Sequence, residues 1–361
     1  MIADWLERKE VCICAGSGGV GKTTTSAAIA LGMAARGAKV AVVTIDPARR
    51  LASSLGLAEL GNEERRVDAA VDGELWAMML DAKRTFDELI EWHAPDERTR
   101  EAVLGNRIYQ ELSSAVAGSQ EYMAMEKLHE LHHEGRYDLL VLDTPPTRNA
   151  LDFLDAPRRL SEFIDSRALQ VLASPGRLGL KVLGRGTGAA LSVMKRATGI
   201  DLLQDLGDFF RSFGDMTEGI RARAGRVNEL LADSRTAFVL VTSARRDALE
   251  EAAYFHRCLM DAGLPFAGIV ANRVHRAGDP TDRAELTRLL GEPLAGKVVR
   301  TYEEERRLAQ RDRENLAGLR RHLGRKPMIE VPHLQDDVHD LAGLRRMDEY
   351  LFAAPGQTGA E

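Results

Sequence analysis

The amino-acid sequence predicts an α/β fold with a mostly parallel sheet of about seven or eight strands, helices on both faces and an added helical subdomain. Short apolar runs alternate with helical patterns along the chain. The runs are apolar throughout, as is typical of strands with both sheet faces covered. The predicted strands are Val11–Cys14, Lys39–Ile45, Leu75–Leu80, Leu139–Leu142, Phe238–Thr242, Ala267–Ala271 and Met328–Val331, with a weaker candidate at Lys297–Val299.

Helical patterns fill most of the gaps between these strands. Lys22–Arg36 follows the first strand and ends before Gly37, which can cap a helix. Glu303–Leu323 carries leucines on one side and charges on the other, which predicts a helix docked on the surface. Two long stretches, 83–134 and 149–233, lack an obvious strand, and we expect them to form one helical subdomain inserted in a single domain spanning 1–361.

Two segments are expected to be mobile. Five glycines lie between Pro175 and Gly188, and such a density favours a flexible segment. The last residues, 353–361, are predicted to form a flexible tail.

The overall composition excludes several classes of protein. Among 361 residues, 44% are hydrophobic and 29% are charged, which predicts a folded soluble protein with a sizeable core. The formal net charge of -6 gives no general attraction to nucleic acid or to an anionic membrane, so no nucleic-acid partner is expected. There is no export signal, no apolar stretch of membrane-spanning length and only three cysteines, so we expect a cytoplasmic location.

Residues 16–23 read GSGGVGKT and fit the phosphate-binding pattern G-x-x-x-x-G-K-[ST]. The glycines let backbone N–H groups converge on phosphate oxygens, and the following helix adds the positive end of its dipole. We expect Lys22 to reach the β- and γ-phosphates of ATP, and the Thr23 hydroxyl to ligate Mg²⁺. A glycine-rich turn without a ligand is disfavoured because strand, loop, Lys-Thr and helix occur in order. The predicted ATP-binding residues here are Gly18, Gly19, Val20, Gly21, Lys22, Thr23 and Thr24.

Two aspartates at strand ends complete the predicted chemistry. Asp143 ends a buried strand, where Mg²⁺ in a phosphate-loop protein needs a carboxylate. Asp46 follows the second strand, where a carboxylate can orient water for in-line attack on the γ-phosphate. An ordinary Asp-Pro turn explains Asp46 equally well on spacing alone. We therefore assign Asp46 and Lys22 as catalytic, and Thr23 and Asp143 as metal ligands.

Together these motifs resemble those of the arsenite-pump and tail-anchored-protein-targeting ATPases, the ArsA-like family with a deviant Walker A loop. Residues 18–24 are similar to its phosphate loop, residues 46–48 to its switch I, and residues 143–147 to its switch II. Residues 269–273 resemble the strand whose asparagine, here Asn272, contacts adenine. Residues 331–338 resemble the C-terminal loop that also touches the base, which implies a contact from Pro332. The resemblance runs from about Val11 to Leu344 and is weakest in the helical subdomain.

One departure from the family bears on assembly. Its members usually carry a lysine directly after the first glycine of the loop, and this lysine reaches the phosphates of the other subunit in a dimer. This chain has Ser17 there. Either a small residue is simply tolerated, or the subunit hydrolyses ATP weakly and needs a paralogous partner. A homodimer and a heterodimer with a paralogue both remain open.

The metal features of the relatives are also missing. The cysteine pair that holds zinc in the targeting factors is absent, and the helical region has no cysteine for arsenite. We therefore expect neither site. Cys12 and Cys14 fall in the first strand on one face, and we interpret them as buried small apolar residues.

An apolar stripe in the helical region suggests a client. Leucines and phenylalanines from Leu202 to Phe213 follow helical spacing, and Met216 and Ile220 continue it. Burial against neighbouring helices is the favoured interpretation. The alternative is a groove for a hydrophobic client helix. Residues 119–126 occupy the place where relatives couple nucleotide state to these helices.

Four functions follow from these patterns. The leading one is an ATPase that uses Mg-ATP to open and close a dimer coupled to a client or membrane partner. The second is a nucleotide-gated chaperone or targeting factor for hydrophobic segments. A DNA-partition ATPase and an anion-pump subunit are the others. The long helical insertion and the acidic charge balance argue against the DNA-partition class.

Overall fold

The computed structural model describes residues 1–46, 50–107, 109–110, 119–145, 216–278, 283–334 and 336–353. These residues contain eight strands. In chain order they are β1 (Val11–Ala15), β2 (Lys39–Thr44), β3 (Arg65–Arg66), β4 (Glu74–Met79), β5 (Leu139–Asp143), β6 (Thr236–Ser243), β7 (Phe266–Val274) and β8 (Met328–Pro332).

Helices connect most of these strands. Within the described part of the chain they are α1 (Ile2–Leu6), α2 (Lys22–Ala34), α3 (Arg50–Ser54), α4 (Ala82–His93), α5 (Glu97–Leu104), α6 (Ser119–Glu134), α7 (Thr217–Ala232), α8 (Arg246–Asp261), α9 (Arg283–Leu290), α10 (Glu292–Leu323) and α11 (Leu341–Leu351). None of the helices described is long and apolar enough to cross a membrane.

The strands form one sheet in the order β3-β4-β2-β5-β1-β6-β7-β8. Every neighbouring pair is parallel except β3 and β4. Successive residues of β1, β5 and β6 are all buried, so both faces of the sheet are covered. The predicted α/β fold with a mostly parallel sheet is therefore confirmed.

Strand order places the carboxyl end of β1 at the centre of the sheet. From β1 the chain runs to β2 on one side, and after β5 it crosses to β6 on the other side. The carboxyl edge at such a reversal is where open α/β sheets bind ligands, because the connecting loops part there. The loop after β1 lies at this point.

One large apolar core lies on the face of the sheet that carries α2 and α11. Cys12 and Cys14 both point into it, as their alternate spacing predicts, and their sulfur atoms lie 4.0 Å apart. Helix α2 is buried along most of its length against β2 and α11. This packing fixes the position of α2, the helix that begins with Lys22.

The weak strand candidate at Lys297–Val299 is wrong, because these residues lie inside α10. Pro293 stands in the first turn of that helix, where a missing N–H costs nothing, and the helix therefore begins well before Glu303. Val298 is exposed, so a strand there would have no sheet to join. Strand β3 was not predicted, because its two residues are charged arginines that pair with β4 only through the fold.

The chain divides into two compact units. The first consists of Met1–Met79, Leu131–Leu151 and Leu231–Glu361 and contains the sheet. The second consists of Leu80–Glu130 and Asp152–Leu230. The helical-subdomain limits 83–134 and 149–233 stay a prediction, and the glycine-rich segment and the 354–361 part of the tail lie outside the described residues.

Polar contacts link the described helices of the second unit. Glu126 of α6 pairs with Arg223 of α7, and it accepts a hydrogen bond from the Tyr122 hydroxyl at 3.3 Å. The Arg223 guanidinium lies over the ring of Trp92 of α4, 4.8 Å from its centroid. These contacts join three helices around one buried carboxylate.

Candidate functional site

A cavity of about 750 Å³ opens in the first unit beside the loop after β1. Residues following β1, β2, β5, β7 and β8 meet there, so it lies at the carboxyl edge of the sheet. Its lining combines glycines, hydroxyl groups and charged side chains. Such a mixture suits a ligand with several charges.

The glycine loop has the backbone conformation that its sequence predicts. Gly19 and Gly21 have φ values of +77° and +93°, in the left-handed region that residues with a Cβ avoid. Gly21 is the N-cap of α2, and a Cβ there would lie 2.2 Å from the Asn272 side-chain nitrogen. Because the first N–H groups of a helix lack intrahelical partners, the start of α2 offers donors and a positive dipole end to the cavity.

Lys22 supplies a positive charge within this loop. Its side chain is buried, and its Nζ donates to the Ser17 carbonyl oxygen at 2.9 Å. Burial lowers the pKa of Lys22, and the nearby carboxylates of Asp143 and Asp46 oppose this effect. A buried ammonium group facing a cavity favours an anionic ligand.

Asp143 lies at the bottom of the site, 1% exposed. Its Oδ2 accepts hydrogen bonds from the hydroxyls of Thr23 at 2.7 Å and Thr44 at 2.9 Å. Burial raises the pKa of Asp143 to about 6, although both hydroxyls act to lower it. Its Oδ1 is buried with no hydrogen-bond partner among the described residues.

The unpartnered Oδ1 tests whether the site fits Mg²⁺. A buried carboxylate oxygen without a donor is costly unless a cation or water approaches it. The Thr23 hydroxyl donates to the other oxygen, Oδ2, of the same carboxylate, and its oxygen atom is a second hard ligand of the kind that Mg²⁺ prefers. Thr23 and Asp143 therefore fit the magnesium site that the sequence predicts, and their assignment as ligands stays a prediction.

Asp46 lines the same cavity, with its side chain 18% exposed. Its backbone N–H donates to the Thr44 hydroxyl oxygen at 3.2 Å. The Asp46 Oδ2 lies 3.9 Å from Nη1 of Arg50, the first residue of α3. The carboxylate thus lies at the cavity wall, where a group that orients water is needed.

The far end of the cavity is formed by Asn272 and Pro332. The Asn272 Nδ2 donates to the Val20 carbonyl oxygen at 2.9 Å, and its Oδ1 accepts from the backbone N–H of Arg273. Pro332 ends β8, which pairs with β7 beside Asn272. Both residues face the cavity, and their contacts with adenine stay a prediction.

Most of the predicted site residues that the structure describes lie around this one cavity. Val20 and Asp143 do not line it. The Val20 side chain is buried in the core, and its carbonyl oxygen accepts from Asn272. Asp143 is also buried and is joined to the cavity through its hydrogen bond with Thr23. Residues 47–49, 146–150 and 335, which include parts of the switch I, switch II and C-terminal loop matches, lie outside the described residues.

Two cavity residues, Arg50 and His333, were not predicted from the sequence. The contact of the Thr44 hydroxyl with Asp143 was not predicted either. Thr44 lies inside the predicted strand Lys39–Ile45, two residues before Asp46, and its hydroxyl was the only local signal. Arg50 lies four residues after Asp46, a spacing that can form an ion pair on one helical face. His333 directly follows Pro332 and carries no pattern of its own.

Comparison with known proteins identifies related sequences. The sequence model of the anion-transporting ATPases matches residues 9–288. The chain is 26% identical over 342 residues to "ATPase GET3" of Malassezia globosa, covering 94% of this chain and 89% of that protein. It is 26% identical over 294 residues to "ATPase get3" of Aspergillus terreus, covering 80% of this chain and 81% of that protein. The matched range 9–288 contains the positions of the glycine loop, Asp46, Asp143 and Asn272.

Proposed function

This chain belongs to the anion-transporting ATPase family, and from this premise we propose that it binds Mg-ATP in the cavity beside the glycine loop and uses hydrolysis to drive a dimer between open and closed states. The chain is an ATP-hydrolysing enzyme, as the family match and the ATPase relatives show. The residue roles, the dimer and the coupled partner are the proposal.

One observation carries this proposal: Lys22, Thr23 and Asp46 line a single cavity, and the buried Asp143 is hydrogen-bonded to Thr23 there. Thr23 and Asp143 are 120 residues apart in sequence and are joined by a 2.7 Å hydrogen bond. Both aspartates act electrostatically on Lys22. A chance glycine turn gives no reason for two carboxylates and a buried lysine to converge.

The proposed chemistry assigns a task to each residue. Lys22 and the N-terminus of α2 hold the β- and γ-phosphates and balance their charge. Asp46 accepts a hydrogen bond from a water molecule and orients it toward the γ-phosphorus. The new bond forms between the water oxygen and phosphorus as the bridging bond to ADP breaks. One proton of the water passes to Asp46 and then to solvent, and the other stays on the inorganic phosphate. Mg²⁺, when held by Thr23 and Asp143, neutralises negative charge on the phosphates.

The proposed dimer has two forms. In a homodimer, two copies of this chain close over two nucleotides. In a heterodimer, a paralogous ATPase provides a cation that Ser17 cannot provide. Ser17 is consistent with either form, because its hydroxyl is buried without a hydrogen-bond partner among the described residues and is small enough to be merely tolerated.

The coupled partner is proposed to be a hydrophobic client or a membrane protein, reached from the cytoplasm. The Leu202–Phe213 stripe that motivates a client groove lies outside the described residues. The stripe's continuation, Met216 and Ile220, is 1% exposed at each position, which favours burial there. The alternative functions are a nucleotide-gated chaperone and an anion-pump subunit. We propose no nucleic-acid partner, and DNA binding at low salt would contradict this.

The first test measures ATP turnover and ATP binding by the purified chain with Mg²⁺, beside Lys22→Ala. Turnover that disappears in Lys22→Ala supports a self-sufficient ATPase. Binding without turnover supports the heterodimer, and adding the paralogue should then restore hydrolysis. If Lys22→Ala keeps both ATP binding and turnover, the proposed site is wrong.

A second variant tests the role of Asp46. Asp46→Asn should bind ATP as well as the wild type and lose turnover, since the amide keeps the shape but accepts a proton poorly. Unchanged turnover in Asp46→Asn would remove Asp46 from the mechanism.

A further inference from the structure

Arg50 adds a further positively charged side chain, besides Lys22, to the lining of the cavity. It is the first residue of α3, in which Leu51, Ala52 and Ser54 are buried and Ser53 is exposed. The backbone of α3 is therefore anchored, while the Arg50 side chain is 67% exposed and lines the cavity. Because the backbone is anchored and the side chain is long, the guanidinium can move by several ångströms while the fold stays unchanged.

The ion pair between Arg50 and Asp46 is weak. Its Nη1 lies 3.9 Å from the Asp46 Oδ2, at the outer limit of an ion pair, and this is the ion pair that the structure shows for it. A pair at this distance contributes little when the Arg50 side chain is 67% exposed and therefore largely solvated. A phosphate offers a guanidinium two oxygens at once and greater charge, so it competes well for Arg50.

Arg50 and Lys22 are close enough to affect each other. Burial is the main cause that lowers the pKa of Lys22, and the charge of Arg50 acts in the same direction. Two like charges directed at one space are unfavourable unless an anion separates them. Asp143 and Asp46 offset part of this repulsion, and a phosphate bound between the two cations would offset it further.

We propose that Arg50 binds the terminal phosphate of ATP in cis. Without nucleotide, Arg50 pairs with Asp46. When ATP enters, the guanidinium transfers to γ-phosphate oxygens and adds a second positive charge opposite Lys22. Arg50 thus discriminates ATP from ADP, a role that rests on the proposed function.

The test compares the dissociation constants for ATP and ADP, and the turnover, of wild type, Arg50→Gln and Arg50→Lys. Arg50→Gln should weaken ATP binding by about tenfold or more, change ADP binding by less than about twofold, and lower turnover by about 100-fold. Arg50→Lys keeps the charge but loses the fork, so its values should lie between those two.

Arg246→Gln is the matched control. Arg246 forms an exposed ion pair with Glu250 at 3.0 Å, also four residues along a helix, and it does not line the cavity. The control should leave both nucleotide affinities and turnover at wild-type values. Thermal unfolding without nucleotide should give the same midpoint for wild type, Arg50→Gln and Arg246→Gln, which separates a lost contact from a lost fold.

The outcomes separate this inference from the proposed function. If Arg50→Gln weakens ATP and ADP equally, or lowers turnover with an unchanged ratio of the two affinities, Arg50 does not hold the terminal phosphate. If the wild type binds ATP but needs a partner for turnover, the test uses binding alone. A ratio of ATP to ADP affinity that is lower in Arg50→Gln than in wild type then supports the role of Arg50. If the wild type does not bind ATP, or Lys22→Ala binds it equally well, the proposed function fails and this inference fails with it.

Discussion

The side-chain amide of Asn272 donates to the carbonyl oxygen of Val20 at 2.9 Å, and this hydrogen bond ties β7 to the glycine loop. The Asn272 Oδ1 is occupied by the backbone N–H of Arg273 at 3.0 Å, which fixes the amide so that its nitrogen faces the loop. The two residues are 252 positions apart in sequence. The contact therefore links the loop that would hold phosphates to the strand that would hold the base.

Asn272→Ala should weaken ATP binding by about tenfold and lower the free energy of unfolding by about 1–3 kcal/mol, because the Val20 carbonyl loses its donor. Asn315→Ala is the matched control, since the Asn315 Nδ2 donates to the Ala244 carbonyl at 3.0 Å away from the cavity. Titration calorimetry and denaturant unfolding measure the two quantities. Equal loss of ATP affinity in both variants would show that the loop contact has no special role.

Thr44→Val should lower turnover by about tenfold and raise the Mg²⁺ concentration needed for half-maximal activity, because one of the two hydroxyls that orient Asp143 is lost. Valine keeps the shape, so the fold should persist with a loss of about 1 kcal/mol. Thr242→Val is the control, since the buried Thr242 hydroxyl donates to the Ala248 carbonyl at 3.0 Å. If both variants keep wild-type Mg²⁺ dependence, the Thr44 hydroxyl does not prepare the metal site.

Gly32→Ala should destabilise the protein by about 1–3 kcal/mol, because the new Cβ would lie 2.2 Å from the ring of Phe352. Gly318→Ala should instead stabilise it by up to about 1 kcal/mol, since that Cβ meets open space on the exposed side of α10. Denaturant unfolding measures both changes. A destabilised Gly318→Ala, or a neutral Gly32→Ala, would contradict the close packing of α2 against the end of α11.

Asp348 should make stability fall as the solution becomes alkaline. Burial raises the pKa of Asp348 to about 8, against the pull of Arg36 and Arg345, and its Oδ1 is buried without a partner among the described residues. The folded state thus binds the proton more tightly than the unfolded state. The free energy of unfolding that this group contributes is present at low pH and is lost between its unfolded pKa, near 4, and about 8.

Asp348→Asn tests this dependence because an amide does not titrate. At about pH 9 the variant should unfold at least a few degrees above the wild type, whereas at about pH 5 the two should unfold at similar temperatures. Thermal unfolding across this range gives the comparison. Parallel pH profiles for the two proteins would show that Asp348 is not held protonated by the fold.

The central strands could be predicted closely because their signal is local. Val11–Cys14 and Leu139–Leu142 each extend by only one residue in the structure, since both runs are apolar on both faces. Strand β3 could not be predicted, because Arg65 and Arg66 are exposed and become a strand only through pairing with Ala77 and Trp76. In Lys297–Val299 the apolar run was real, but the local packing made it helical.

The sequence by itself determined the glycine loop, the position of Lys22 and Thr23 at the start of a helix, and the aspartates that end two strands. These features depend on backbone freedom and burial, which neighbouring residues set. Only the tertiary structure decided that the Thr44 hydroxyl meets Asp143, 99 residues away, and that Asn272 holds the loop. Strand order and parallel register bring such groups together, and no local pattern specifies which distant side chain will lie beside which.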